Sequence, residues 1–237
     1  NKRMYERIYM EINDFLKYFA RIITLLLVLP IHEAAHALVA KKMGDDTAER
    51  QGRITLNPMM HLDPLGSLLI VLTGFGWAKP VSVNPTRMKK QRAGFALTAL
   101  AGPVSNILAA FVSALIYSII LCTDAGVKAI ISSEITPLYC AIILLRFIVQ
   151  VNIGLAVFNL IPIPPLDGFN ILSYFTGPKF DRWFYTHQRE VQMGFFAFII
   201  LLNVIPAQYN PLFHVQSFFA DLIWMLVDWI PIKRWGL

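Results

Sequence analysis

The chain has 237 residues, of which 56% are hydrophobic and only 15% are charged. Ordinary soluble domains carry about 25% charged residues, so this composition excludes such a domain and favours one polytopic membrane domain in a lipid bilayer. The formal net charge is +6, but the basic residues cluster in loops beside apolar segments, as the positive-inside rule describes, and we expect no nucleic-acid partner.

The N-terminal segment comes first along the chain. Residues 4–19 place apolar side chains on one helical face and charged side chains elsewhere, which predicts an amphipathic helix at the membrane surface, assigned to residues 1–21. The first spanning helix follows at residues 22–40. At about 1.5 Å per residue this helix would cover roughly 28 Å, the thickness of a bilayer core.

The first spanning helix contains only three ionisable residues, and they form the motif His32-Glu33-x-x-His36. Two histidines four residues apart lie on one helix face and can bind one tetrahedral zinc ion, while Glu33 is placed to act on metal-bound water. Ionisable groups at membrane depth are costly, which favours a functional role. The pattern therefore predicts a metallohydrolase, with a chance match and a pair of buried core histidines as the alternatives.

The loop after the first span carries structure of its own. Residues 52–58 and 79–85 each read as a short strand that stops at Asn-Pro, which predicts a small β-sheet. Between them, residues 65–77 are apolar but too short to span, which predicts a membrane-dipping hairpin. Nine Lys and Arg residues in 41–92 against one in 123–138 predict that the first loop is cytoplasmic and the second external.

Further apolar segments lie at residues 93–122, 139–163, 191–206 and 211–232. The last carries a polar stripe at helical spacing, which leaves a spanning and an interfacial position open. The predicted fold class is a polytopic α-helical membrane protein with about five to six transmembrane helices and a small cytoplasmic β-sheet with a membrane-dipping hairpin between the first two spans.

A catalytic zinc site needs a third protein ligand, and Asp167 is the best-placed candidate. Prolines break the third span beside it, and an oxygen ligand suits an open catalytic site. The alternative is that Asp167 caps a helix that starts at Gly168. The rival ligands are His61, His187 and His214.

Three motifs occur in the order expected of one known family. They are His32-Glu33-x-x-His36, Gly102-Pro103-x-x-Asn106 and Asn159-x-x-Pro162-x-Pro164-x-Leu166-Asp167-Gly168. Together they resemble the site-2 protease family of intramembrane zinc metalloproteases, over about residues 22 to 172. The runs at residues 52–66 and 77–81 resemble its compact prokaryotic form, so we expect no PDZ or CBS domain.

The resemblance implies a set of roles. His32, His36 and Asp167 would bind one zinc ion per chain, and Glu33 would act as the acid/base. The active site would lie nearer the cytoplasmic side of a prokaryotic cell membrane, in a multi-pass protein that cleaves transmembrane segments of other membrane proteins. Residues 22–176 would form the catalytic membrane core. The resemblance does not extend to residues 177–237, which we expect from their apolar segments to form C-terminal membrane helices, and a homo-oligomer is a further candidate partner.

The remaining candidates concern the substrate and a rival function. His61, Asn106 and Asn159 are candidates to hold the peptide or stabilise the oxyanion, although each could instead tie helices together. We also predict that substrate adds as a strand to the small sheet. The alternative function is a non-proteolytic membrane transporter of metal or protons, in which the intramembrane ionisable residues form the path.

Overall fold

The structure is a computed structural model that describes residues 18–73, 76–132 and 134–229. Most of the predicted N-terminal helix, at residues 1–17, lies outside the described residues. The chain order of the longer helices is α1 (Tyr18–Met43), α2 (Pro64–Thr73), α3 (Gln91–Leu121), α4 (Asp124–Ser132), α5 (Pro137–Asn159), α6 (Asp167–Thr176), α7 (Pro178–Thr186), α8 (Gln188–Val204) and α9 (Pro211–Val227).

Three of these helices, α1, α3 and α5, are long and apolar enough to cross a membrane. Their 26, 31 and 23 residues exceed the roughly 20 that a bilayer core requires. Helix α9 is apolar but shorter, at 17 residues. The predicted helical membrane character is confirmed, whereas the number of five to six spans is not.

The described part of the chain contains no β-strand, so the predicted sheet is not confirmed. One isolated antiparallel bridge joins Leu62 to Ala78. The Asn-Pro pairs do stop the extended segments, because the Asn57 and Asn84 side chains accept hydrogen bonds from backbone N–H groups two residues on. Several backbone N–H groups of this loop donate to side chains and not to a neighbouring strand, among them those of Thr47, Val81 and Asn84.

The spanning helices pack around α3, which touches both α1 and α5. Small side chains of α3 allow this close approach, since Ala110 and Ala114 are fully buried. Their cluster also contains residues of α5 and α9: Val149, Ile153, Val157, Ile223 and Val227. Helix α9 is therefore part of the same packed bundle.

Three chain segments meet at one end of this bundle. The Lys89 N–H donates to the carbonyl of Met43 at 3.2 Å, which joins the end of α1 to the residues just before α3. The Arg92 side chain donates to the carbonyl of Ser173, which joins the start of α3 to α6, beyond the end of α5. The loops at residues 44–90 and 160–190 consequently lie at the same end, where the site described below is found.

Candidate metal centre

The helical spacing of the His-Glu-x-x-His motif brings its two imidazoles together inside the bundle. His32 and His36 are both buried, and their Nε2 atoms lie 3.0 Å apart. The Oδ2 atom of Asp167 lies 3.4 Å from each of these nitrogens. The structure therefore brings together all three residues proposed from the sequence as metal ligands.

Asp167 reaches this position from a tight junction between two helices. It is the first residue of α6, after the proline-rich segment that ends α5. A Cβ at Gly168 would lie 2.2 Å from the Leu160 carbonyl oxygen, so glycine lets α6 start directly against the end of α5. The alternative in which Asp167 caps a helix that starts at Gly168 is not what the structure shows, because the helix starts at Asp167 and the residue before it is Leu166.

The donor set fits a zinc ion. Zinc bonds of about 2.0–2.1 Å in a tetrahedron place neighbouring ligand atoms about 3.3–3.4 Å apart, and the three distances here are 3.0, 3.4 and 3.4 Å. Within the described residues, the Asp167 Oδ2 atom is buried without a hydrogen-bond donor, as a metal ligand would be. Burial acts to raise the pKa of Asp167, but the two imidazoles outweigh it and the pKa is lowered to about 2, so the carboxyl is ionised.

Helix α3 orients the imidazoles from the other side. The His36 Nδ1 atom lies 2.7 Å from the carbonyl oxygen of Thr98. We call the three atoms His32 Nε2, His36 Nε2 and Asp167 Oδ2 the ligand triangle. An N–H at His36 Nδ1 donates to the Thr98 carbonyl and leaves the Nε2 lone pair directed at the centre of this triangle. A Cβ added at Gly102 would lie 2.4 Å from His36 Nε2 and 2.5 Å from His32 Cε1. Only glycine lets α3 pass the ligand pair at this distance.

Glu33 lies beside the ligand triangle and is held by the loop. Its Oε2 atom accepts a hydrogen bond from the Val81 N–H at 3.2 Å and lies 3.9 Å from Arg53 Nη2. Arg53 is 3% exposed and also donates to the Lys79 carbonyl. The sequence offered no signal for this contact, because Arg53 is 20 residues from Glu33 in an irregular loop.

A cavity of about 420 Å³ lies over these residues. One wall carries the ligand triangle and Glu33, and the other is the extended segment that includes Val81 and Val83. Of the three predicted substrate contacts, the structure brings only Asn159 to the cavity wall. Asn170 also lines the cavity, which the sequence did not indicate.

The other two predicted substrate contacts lie outside the cavity wall. His61 is fully buried, and its Nε2 atom is 2.8 Å from the Thr55 carbonyl. Burial lowers the pKa of His61, and the nearby Arg53 cation acts in the same direction. Asn106 is fully buried in α3, and neither amide atom has a partner within the described residues.

The rival histidines are not at the site. The His187 Nδ1 atom lies 2.8 Å from the Trp183 carbonyl, and the His214 Nε2 atom lies 2.8 Å from the Gln208 carbonyl. Across residues 18–73, 76–132 and 134–229, only His32, His36 and Asp167 form a group of His, Cys, Asp or Glu side chains close enough to hold a metal ion.

Two imidazoles, a carboxylate and an adjacent glutamate between apolar spanning helices are the arrangement of a membrane-embedded metallopeptidase. Residues 20–203 match the family described as Peptidase family M50. The chain belongs to this family, which confirms the resemblance to site-2 proteases and the prediction of a zinc metalloprotease. The transporter alternative is not favoured.

Two curated relatives agree with this assignment. "Putative zinc metalloprotease YwhC" of Bacillus subtilis is 43% identical over 180 residues, which cover 76% of this chain and 78% of that protein. "Putative zinc metalloprotease Rip2" of Mycolicibacterium smegmatis is 28% identical over 201 residues, which cover 83% of this chain and 71% of that protein. No solved structure matches the chain significantly.

Proposed function

We propose that this protein cleaves peptide bonds within or near transmembrane segments of other membrane proteins, with His32, His36 and Asp167 as zinc ligands and Glu33 as the acid/base. The observation that carries the proposal is the ligand triangle of 3.0, 3.4 and 3.4 Å beside a buried glutamate. The triangle and the glutamate share one cavity that is large enough to admit an extended peptide segment.

Zinc supplies Lewis acidity at such a site, which activates water and polarises a carbonyl group. Glu33 takes a proton from the attacking water and returns it to the leaving amine. Its Oε2 atom accepts from the Val81 N–H and faces Arg53, and these contacts orient the carboxylate beside the ligand triangle. The Thr98 carbonyl keeps the His36 ring in one orientation throughout.

The substrate lies extended along the cavity wall in this proposal. The segment at residues 79–84 is itself extended and is fixed at three points, through the backbone N–H groups of Lys79, Val81 and Asn84. Within the described residues, the N–H groups of Ser82 and Val83 between these points have no hydrogen-bond partner. An unpaired segment of this kind can bind a peptide by main-chain hydrogen bonds, although no sheet surrounds it. A helical substrate must unwind first, since its carbonyls are otherwise internally bonded.

The site faces the cytoplasm in this proposal, in a multi-pass protein of the cell membrane. The ligand triangle lies at the end of the bundle that carries the loop at residues 44–90. This loop is rich in Lys and Arg, and the positive-inside rule places such a loop in the cytoplasm. Packing of α9 against α3 and α5 supports a further crossing.

Single cysteines test the orientation on a background without Cys122 and Cys140. The exposed Thr86→Cys should resist an impermeant thiol reagent in intact cells, and Ser132→Cys should react; the reverse pattern contradicts the orientation.

The proposed function is tested by variants that separate the acid/base role of Glu33 from the zinc-ligand role of Asp167. Glu33→Gln should abolish cleavage of a membrane substrate while the purified protein keeps near-stoichiometric zinc, because Glu33 acts on water and not on the metal. Asp167→Ala should lose both zinc and cleavage, because two imidazoles alone bind zinc weakly. His214→Ala is the matched control and should keep both.

Metal analysis and cleavage assays on the same preparations decide between the roles. Zinc loss in Glu33→Gln would make Glu33 a ligand, and retained cleavage in that variant would overturn the protease mechanism. Full zinc occupancy and turnover in Asp167→Ala would remove Asp167 from the metal site.

A further inference from the structure

Helix α7 presents a basic and aromatic surface beside the helix that begins with Asp167. Lys179 and Arg182 are exposed, and neither forms an ion pair within the part of the chain that the structure describes, unlike Arg92 nearby. Trp183 and Tyr185 are 53% and 70% exposed, and Phe175 at the end of α6 is 76% exposed. These five residues are called the α7 patch below.

The α7 patch is tied to the first turn of a spanning helix. Arg92 is the second residue of the spanning helix α3. Its guanidinium is 3.3 Å from the Asp181 carboxylate of α7 and also donates to the Ser173 carbonyl of α6. A helix bonded to the first turn of a span sits where the hydrocarbon ends and the headgroups begin.

The same helix is firmly attached to α6. Phe184 of α7 is buried, with its ring centroid 4.3 Å from that of Phe169, two residues after Asp167. The Ser173 hydroxyl donates to the Asp181 carboxylate at 2.6 Å. One apolar and one polar contact therefore tie α7 to the helix that carries the third member of the ligand triangle.

We propose that the α7 patch binds the headgroups of anionic phospholipids and that this contact holds α6, and with it Asp167, in the active position. Cationic side chains next to aromatic ones on a short amphipathic helix are the composition of an interfacial lipid contact. Each Lys or Arg near an anionic surface strengthens binding between about fivefold and sixfold, so the pair contributes about thirtyfold. The regulatory part of this inference rests on the proposed protease function, whereas the lipid site does not.

The test compares wild type with the double variant Lys179→Gln/Arg182→Gln. Two controls accompany it: Lys179→Arg/Arg182→Lys, which retains the charge, and Lys128→Gln, which removes a charge at the far end of the bundle. Phosphatidylglycerol binding is titrated by native mass spectrometry. Cleavage and zinc content are measured in nanodiscs of phosphatidylcholine alone and of phosphatidylcholine with phosphatidylglycerol.

We expect the double glutamine variant to bind phosphatidylglycerol about thirtyfold more weakly than wild type and to keep its zinc. Its cleavage rate should be the same in both kinds of nanodisc and should equal the rate of wild type in phosphatidylcholine alone. Both controls should behave as wild type. Equal phosphatidylglycerol binding by the double variant overturns the lipid site, and lost binding with unchanged lipid dependence of cleavage overturns the coupling. Wild type that binds the lipid but cleaves in no nanodisc supports the lipid site and contradicts the protease function.

Discussion

The two walls of the active-site cavity are built in different ways. The helical wall carries the ligand triangle on α1 and α6 and is backed by α3, where glycine and alanine allow close helix contact. The loop wall, the extended segment at residues 79–84, contains no β-strand in the described residues. Among those residues, the loop contacts that hold Glu33 are the Val81 N–H and the Arg53 side chain. Ligand positions thus follow from rigid packing, whereas the position of the acid/base depends on a few single contacts.

The far end of the loop wall depends on another side chain. Asp45 is fully buried and accepts hydrogen bonds from the Thr47 N–H at 3.0 Å and the Asn84 N–H at 2.6 Å. Burial acts to raise the pKa of Asp45, but the Thr47 and Asn84 donors outweigh it and the pKa is lowered. An ionised carboxylate is therefore built into the loop as the anchor of the extended segment.

Substitution of Gly102 breaks the helical wall and should have the largest effect. In Gly102→Ala the added Cβ would lie 2.4 Å from His36 Nε2, so α1 and α3 must separate and the ligand triangle must open. We expect loss of most bound zinc and of nearly all cleavage, measured by metal analysis and substrate assay.

Gly194→Ala is the matched control for this variant. Gly194 lies in α8 with nothing within 4 Å of an added Cβ, and alanine is the better helix former, so zinc and cleavage should be unchanged. Normal zinc content in Gly102→Ala would show that the helices can repack without cost to the metal centre.

Removal of the Arg53 cation should affect the loop wall and spare the metal. Arg53→Met keeps most of the side-chain volume but removes the charge beside Glu33 and the donor to the Lys79 carbonyl. Charged hydrogen bonds contribute about 1.5–3 kcal/mol, so turnover should fall between about tenfold and about 160-fold with zinc retained.

The control is Arg50→Met, which removes an exposed arginine whose partner is Asp46 in the same loop. Exposed ion pairs contribute at most about 1 kcal/mol, so this variant should cleave nearly as wild type. Equal turnover of the two variants would remove Arg53 from the positioning of Glu33.

A proline in the extended segment should have the smallest effect of the three. Ser82→Pro removes one N–H that we propose bonds to substrate. Cleavage should slow about tenfold, because one main-chain hydrogen bond of about 1 kcal/mol is lost and the proline ring also obstructs the substrate. Ser82→Ala keeps the N–H and should cleave normally. A rise in the KM of Ser82→Pro with unchanged zinc content would indicate lost pairing with substrate and not a damaged metal centre. Cleavage by Ser82→Pro at the wild-type rate would show that substrate is held elsewhere.

The helical wall could be predicted from the sequence because helix periodicity is local. A spacing of four residues places His32 and His36 on one face whatever surrounds them, and a carboxylate after a proline-broken span marks Asp167. The loop wall could not be predicted, because β-branched residues beside Asn-Pro suggest strands at residues 52–58 and 79–85, where the structure has irregular backbone. The conformation of the loop wall depends instead on contacts of side chains such as Arg53 and Asp45, whose partners lie far away in the chain.

The close approach at Gly102 also provides a criterion for reading other sequences. A chain can keep the His-Glu-x-x-His motif and the later Asp-Gly pair and still carry a larger residue at this point in α3. Such a chain would lack the space in which the two imidazoles converge. The glycine therefore separates chains that can assemble the metal centre from those that keep only its signature, and it does so without contributing a ligand atom.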